Sequence, residues 1–246
     1  KRLVAFFGDA DLLTVDRARA QEYMTARLKS VTPQTVNREI DLLKGMLREA
    51  VPKYLRSSPL AGMKKLRVVP PKKRILSPVE EAKVLAELQP ADRALYIVAV
   101  DTLIRLGNVL HLKWSEVKRD HLDLEDSKTG PYQVPLSSRA RQALASLSRS
   151  DAYCFPHRRT AKTERDTRGA VRRMLQRACQ RAGVPYGRAV GGVTFHTATR
   201  ATGATRMLRA QVDPKTVQAV GHWKDMRAMQ GYFQTDDALM RAAVNR

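Results

Sequence analysis

The stretch "RVVPPKKRILSPVEEAKVLAEL" (Arg67–Leu88) decides how this chain is divided. Its first half carries two adjacent prolines and three consecutive cations, Lys72, Lys73 and Arg74, with no apolar period. Proline removes a backbone donor and pushes the residue before it toward extended geometry, so no helix or central strand runs through this half. The second half is a helix start. Ser77 stands at the N-cap, Pro78 at the first helical position and Glu80 three residues after the cap, the arrangement of a capping box. An extended basic linker over 69–76 therefore separates a first domain, 1–68, from a second, 77–246.

Working outward, residues 1–68 read as all helix. "TVDRARAQEYMTARLK" is one helix with Thr14 as its N-cap. "TPQTVNREIDLLKGMLREAV" is the next, with Thr32 as N-cap, Pro33 at the first helical position and Val36, Ile40, Leu43, Leu47 and Ala50 at helical spacing. A short third helix is expected before "SSP". In the second domain, "DRALYIVAVDTLIRLG" is apolar nearly all round, which predicts a buried helix ended by Gly107. "LKWSEVKRDHLDLED", "SKTG" and "PYQVPL" read as short strands around a turn, and "SSRARQALASL" returns to helix. The expected class is mainly α: a small all-helical domain joined to a larger helical α+β domain with a small antiparallel sheet.

The 246 residues carry 45 Lys and Arg against 24 Asp and Glu, a net charge of +21. Such an excess opposes compaction unless a polyanion neutralises part of it, so nucleic acid, an anionic membrane or an acidic protein is the expected partner class. The longest apolar run, Ala94–Ile104, is about half of what spans a bilayer. A signal peptide ahead of the first helix is not expected. Cys154 and Cys179 form neither a metal spacing nor a disulfide framework, which fits a reducing cytoplasm, and Cys179 falls on an apolar stripe.

"TRGAVRRMLQRACQRAG" is the clearest amphipathic helix: Val171, Met174, Leu175, Ala178, Cys179 and Ala182 form one stripe. Arg173, Arg177 and Arg181 run down another face, and Arg158–Arg181 holds nine Lys or Arg against two acids. That face is either simply solvated or a phosphate contact, with Arg165, Arg168, Arg172, Arg173 and Arg177 as the candidates. Lys72, Lys73 and Arg74 are open to the same two readings, a solvated hinge or a track along a phosphate backbone.

Taken singly, the remaining polar residues have ordinary explanations. Arg105 follows an apolar helix, where a cation complements the carbonyl end. Lys128 stands in a turn. His196 and Arg200 are four apart, a spacing that on a helix puts both on one face. His222 follows "DPKTVQAVG", a helix capped by Asp213 and ended by Gly221. Tyr232 alone is a packing aromatic.

Their order is more specific. Arg105, Lys128, His196, Arg200, His222 and Tyr232 run as R…K…H-x-x-x-R…H…Y through "TLIRLGNVLHLKWSEV", "SKTGPYQVPL" and "VDPKTVQAVGHWKDMRAMQGYF". This resembles the catalytic domain of the tyrosine recombinases, the phage-integrase family. "TPQTVNREIDLLKGMLREA" is similar to that family's helical core-binding domain, and "RILSPVEEAKVL" to the usual start of its catalytic domain. Three departures stand out. The family usually has H-x-x-R; here either His196 keeps register through a local insertion, or Thr197 takes the histidine's place. The step from His222 to Tyr232 is one residue longer than usual. Asn108 stands where an acidic residue commonly follows the first arginine.

The resemblance implies a DNA strand transferase without metal or other cofactor. Tyr232 would be the nucleophile that forms a 3′-phosphotyrosine, and Arg105 and Arg200 the stabilisers of the phosphoryl transition state. His222 would donate a further hydrogen bond, Lys128 would protonate the 5′ oxygen, and His196 would help take the tyrosine proton. It implies double-stranded recombination sites as partners, a homotetramer on DNA that is a monomer or weak oligomer when free, no membrane, and a cytoplasmic, nucleoid-associated setting. The two domains would close as a clamp on duplex DNA, and the tail "TDDALMRAAVNR" would form a short helix packing on a neighbouring protomer or on its own domain. A type IB topoisomerase-like relaxase and a DNA-binding protein with a decayed site are the competing readings.

Overall fold

The computed structural model describes residues 1–69, 73–125, 130–156, 164–232 and 244, with side chains throughout except at 164–166. Lys72, Lys128, the Arg165 side chain and the helix expected in the tail lie outside the described residues. The chain forms two compact units, Lys1–Pro71 and Lys72–Arg246.

The first unit packs α1 (Arg2–Phe7), α2 (Arg17–Leu28) and α3 (Pro33–Glu49) around Phe7, Tyr23, Val36, Ile40, Leu43 and Leu47. Pro33 opens α3, and Thr32 is its cap residue without a side-chain bond. The cap of α2 is Asp16, whose carboxylate accepts from Arg19 N, and not Thr14. Thr14 instead closes a 3-10 turn, Leu12–Thr14, by donating to the Asp11 carbonyl. The short third helix does not form. Beyond Glu49 the described chain runs in turns and extended segments to residue 69, interrupted by Pro52 and Pro59. Asn37 pins that return: its amide donates to Leu66 O at 2.9 Å and accepts from Leu66 N at 2.8 Å. Glu39 ties α2 to α3 by accepting from Tyr23 Oη and from both Nε and Nη2 of Arg27. The Arg27 fork is the main cause that holds its carboxyl down to about 2.

The second unit opens with α4 (Pro78–Ala86) under the capping box read from sequence: Glu80 N donates to Ser77 Oγ, and Ser77 N donates to the Glu80 carboxylate. Helix α5 (Pro90–Thr102) is buried along most of its length, as an all-round apolar sequence requires. It does not run on to Gly107. Leu103 turns left-handed at φ 57°, Arg105 becomes the N-cap residue of α6 (Leu106–His111), and Gly107 lies inside α6. The break is made by tertiary contact, because Arg200 donates to the Leu103 carbonyl that the helix end leaves free. Strands β1 (His121–Leu124) and β2 (Tyr132–Pro135) form the small antiparallel sheet, with Leu122 opposite Val134. Helix α7 (Ser138–Ala145) follows, and α8 (Glu164–Arg181) buries Val171, Leu175, Ala178 and Cys179.

Buried carboxylates fasten this unit. Asp101 on α5 accepts from Ser137 Oγ at 2.6 Å, Arg139 at 2.6 Å and Arg206 at 2.7 Å, while Glu81 on α4 pairs with the same two arginines. Burial works against ionisation of Asp101; the hydrogen bonds and charge from Arg139, Ser137 and Arg206 outweigh it and hold its carboxyl below the usual range. Arg206 belongs to α9 (Thr202–Arg209), which meets α5 closely enough that a Cβ on Gly203 would collide with Val100 O and Leu103 Cδ2. Helices α10 (Pro214–Val220) and α11 (Met226–Met229) complete the described fold. They share a small apolar cluster with Leu103, Ala201, Ala204, Val217, Trp223, Met229 and Tyr232.

Candidate active site

The turn that carries His196 and Arg200 is not an α-helix. Residues Thr197–Ala201 form a π-helical turn that runs directly into α9, with Thr202 N donating to Thr197 O. A π turn takes one more residue than an α turn, so side chains four apart return to one face of it. The longer H-x-x-x-R spacing thus has a local structural basis. Of the two readings of the histidine position, His196 is the residue whose Nε2 lies 3.0 Å from Tyr232 Oη. Thr197 Oγ1 instead accepts from Thr194 N, 2.8 Å away, at the start of the helix.

Arg200 is only 3 % exposed. A buried cation needs partners, and described residues supply them. Its Nη1 donates to Leu103 O, its Nη2 to Gly221 O, and its guanidinium carbon stacks 4.1 Å from the Trp223 ring. Both carbonyls sit at helix C-termini, where the backbone carries partial negative charge. Burial, followed by the charge of Arg105, lowers Arg200 to about 10, so it stays protonated at neutral pH.

One side chain therefore sets the chain path at two places. Leu103 leads into Arg105, and Gly221 leads into His222. His222 has φ 48°, the left-handed region, and its ring stacks on Tyr132 with centroids 4.0 Å apart and planes 5° from parallel. Tyr132 Oη accepts from Asn108 Nδ2 at 3.2 Å, linking the position of the missing acid to the aromatic that supports His222.

A cavity of about 340 Å³ lies against these residues. Arg105, Asn108, Arg168, Arg172, His196 and Arg200 contribute its polar lining, and no carboxylate lines it among the described residues. Nη1 of Arg105 is buried without a hydrogen-bond partner among them. Buried donors are nearly always satisfied, so one left open beside a cationic cavity is a place for an anion. His196 is held below its ordinary value, down to about 4, by burial first and then by Arg200, Lys73, Arg188 and Arg105. It is neutral at physiological pH, and a neutral Nε2 can accept the Tyr232 proton. Tyr232 is 4 % exposed, packed against Trp223, and lies one hydrogen bond from the cavity through His196.

The basic helix α8 splits between two surfaces. Arg168 and Arg172 reach the cavity, and a Cβ on Gly107 would come within 2.9 Å of Arg168 Nη2. Arg173 and Arg177 line a separate groove with Arg181, which is paired to Glu87 at 2.7 Å. Lys73 and Arg74 pack within the second unit: Arg74 bonds Glu80 at 2.5 Å, and Lys73 Nζ lies 3.9 Å from the centroid of the Tyr232 ring. Sequence reading missed Trp223 and Tyr132 as parts of this site. Both lie inside the quoted motifs, and aromatics next to motif cations were the available signal.

Residues 73–238 match the model of the phage integrase family. The chain belongs to that family. The integrase of Escherichia phage P2 is 26% identical over 140 residues, which cover 56% of this chain and 41% of that protein. The chain thus spans about two-fifths of that curated relative's length. A lambda integrase dimer bound to a COC′ core site superposes with a TM-score of 0.78 at 20% identity, covering 96% of this chain and 71% of that one. A lambda integrase tetramer bound to a Holliday junction gives 0.74 at 21% identity, covering 91% and 69%. These two likenesses carry the fold, mainly α with a small antiparallel sheet. No helix among the described residues is long and apolar enough to cross a membrane.

Proposed function

We propose that this chain is the DNA-binding and catalytic part of a site-specific recombinase that cleaves and rejoins DNA through a covalent 3′-phosphotyrosine. The observation that carries the reading is the Tyr232–His196 hydrogen bond of 3.0 Å beside a cavity lined by Arg105 and Arg200. In this reading Tyr232 Oη attacks the scissile phosphorus, and its proton passes to neutral His196 Nε2. An O–P bond forms to the tyrosine, the bond from phosphorus to the 5′ oxygen breaks, and that oxygen takes a proton. Lys128 is the proton donor on the sequence resemblance; it lies outside the described residues.

Negative charge builds on the nonbridging oxygens in the transition state. Arg105, with its open Nη1, and Arg200, fixed by two carbonyls, meet that charge already in place, which is worth about 10²–10³ in rate for each such donor. His222, held by Tyr132, donates a further bond. The covalent link conserves the energy of the broken diester, so a 5′ hydroxyl from a second strand can reverse the step. Four protomers on two duplex sites, passing through a Holliday junction, complete strand exchange, in keeping with the tetrameric neighbour. Residues 1–68 act as the core-binding domain, 69–76 as the linker and 77–246 as the catalytic domain. The charge of +21, with Arg168, Arg172, Arg173 and Arg177 on α8, supplies phosphate affinity and a steep salt dependence.

The test is a nicked suicide duplex bearing the recombination site, incubated with wild type and Tyr232→Phe and resolved on a denaturing gel. A protein–DNA adduct is expected from wild type alone. No adduct from wild type on its own site would sink the proposal.

A further inference from the structure

We propose that Lys73 is a further member of the catalytic machinery, a cation held against the nucleophile that stabilises the negative charge developing on the Tyr232 oxygen. The inference rests on Tyr232 being the nucleophile. Sequence alone gave Lys73 two roles, a solvated hinge or a backbone-phosphate contact. The structure places its ammonium over the face of the Tyr232 ring, 3.9 Å from the centroid. It also packs on the neighbouring backbone, since a Cβ on Gly231 would stand 2.5 Å from Lys73 Nζ. Lys73 is among the cations whose charge acts on His196, the hydrogen-bond partner of Tyr232 Oη.

The chemistry follows from charge. A cation over an aromatic face is attracted to the ring, and the attraction grows as the phenol becomes a phenolate. In cleavage, Tyr232 Oη loses its proton to His196 Nε2, gains a bond to phosphorus, and the 5′ oxygen leaves with a proton. In rejoining, the same phenolate departs as the 5′ oxygen attacks. Lys73 thus favours both directions, unlike an acid that serves only the 5′ leaving group. Among the described residues, the charged and titratable groups near Tyr232 include His196 just before the π turn, Arg200 within it and Lys73 from the segment before α4. Arg188 and Arg105 act on the same histidine. Burial first, then Arg188, lowers Lys73 from its ordinary value, which marks an ammonium partly withdrawn from water.

The experiment compares wild type, Lys73→Met and Lys73→Arg in the full chain. The probe is a pool of nicked duplexes with a randomised core, from which wild type captures its cleavable sequence as a covalent adduct. Adduct formation on the captured sequence is then timed across a pH series, and binding is measured in a Tyr232→Phe background. Met keeps the stem and removes the charge, and matching thermal melts confirm that it folds. Lys73→Met is expected to slow adduct formation about three- to thirtyfold at neutral pH. The deficit should narrow at alkaline pH, where the phenolate forms without help, and Lys73→Arg should recover most of the rate. Binding by the Tyr232→Phe protein should be unchanged when Lys73→Met is added. A deficit constant with pH together with weaker binding makes Lys73 a phosphate contact and overturns the proposal. A Lys73→Met rate within twofold of wild type overturns it too. If wild type captures nothing, the nucleophile assignment itself has failed.

Discussion

Replacing Arg200 by Met keeps most of the buried volume and removes both donors that hold Leu103 O and Gly221 O. A hydrogen bond from a charged donor contributes about 1.5–3 kcal/mol, so two give a gross loss of roughly 3–6 kcal/mol. Part of this returns, because the variant no longer buries a charge and still packs on Trp223. A net loss of ~2–4 kcal/mol remains, or roughly 4–16 °C in Tm for a unit of this size. Trp223 lies 4.1 Å under the guanidinium and is one of two tryptophans, so its fluorescence follows unfolding directly. The loss of cleavage should exceed that of any other single arginine, because Arg105 and His222 are both reached through the carbonyls that Arg200 grips. A drop in Tm under about 2 °C would refute the reasoning, since it would mean that those carbonyls find other partners at no cost.

Three further outcomes are expected. Because His196 is held below its unfolded value of 6.5, down to about 4, the unfolded chain binds the extra proton. Stability present above pH 6.5 is then lost as pH falls toward about 4. The part lost by pH 5 is ~2 kcal/mol before screening, and because the His196 side chain is exposed to solvent roughly 1 kcal/mol remains; denaturant titrations should show a flatter pH dependence for His196→Gln. Arg105→Met should lower adduct formation by about 10²–10³ while leaving stability equal or up to ~1 kcal/mol higher, read by suicide-substrate kinetics beside thermal melts. Gly203→Ala drives a methyl into Val100 O and Leu103 Cδ2 and should cost ~1–3 kcal/mol in chemical denaturation, whereas Gly45→Ala, with nothing within 4 Å of its Cβ, should not destabilise.

Much of the architecture was legible from local chemistry. The capping box at Ser77 and Glu80 is a contact among four consecutive residues, so sequence is enough to specify it. The buried α5 follows from an all-round apolar composition, and the amphipathic α8 from its period. The errors have two causes: a better local competitor at one helix start, and elsewhere a distant group that supplied what local sequence did not. Asp16 outcompeted Thr14 because its carboxylate reaches Arg19 N. The region after Glu49 stays non-helical under Pro52, Pro59 and the distant Asn37 amide. Helix α5 stops at Leu103 because Arg200, ninety-seven residues on, takes its carbonyl.

The sequence by itself determined the set of polar groups, their order along the chain and the family they resemble. These are fixed by residue type and spacing, whatever the fold does with them. The four-residue spacing already puts His196 and Arg200 on one helix face; only the tertiary structure decided that the backbone between them takes a π turn and that His196, not Thr197, meets Tyr232. Only it set Tyr132 under His222, Trp223 under Arg200 and Lys73 over Tyr232. Those contacts join segments far apart in the chain, and no local periodicity carries information about which distant side chains a fold will bring together.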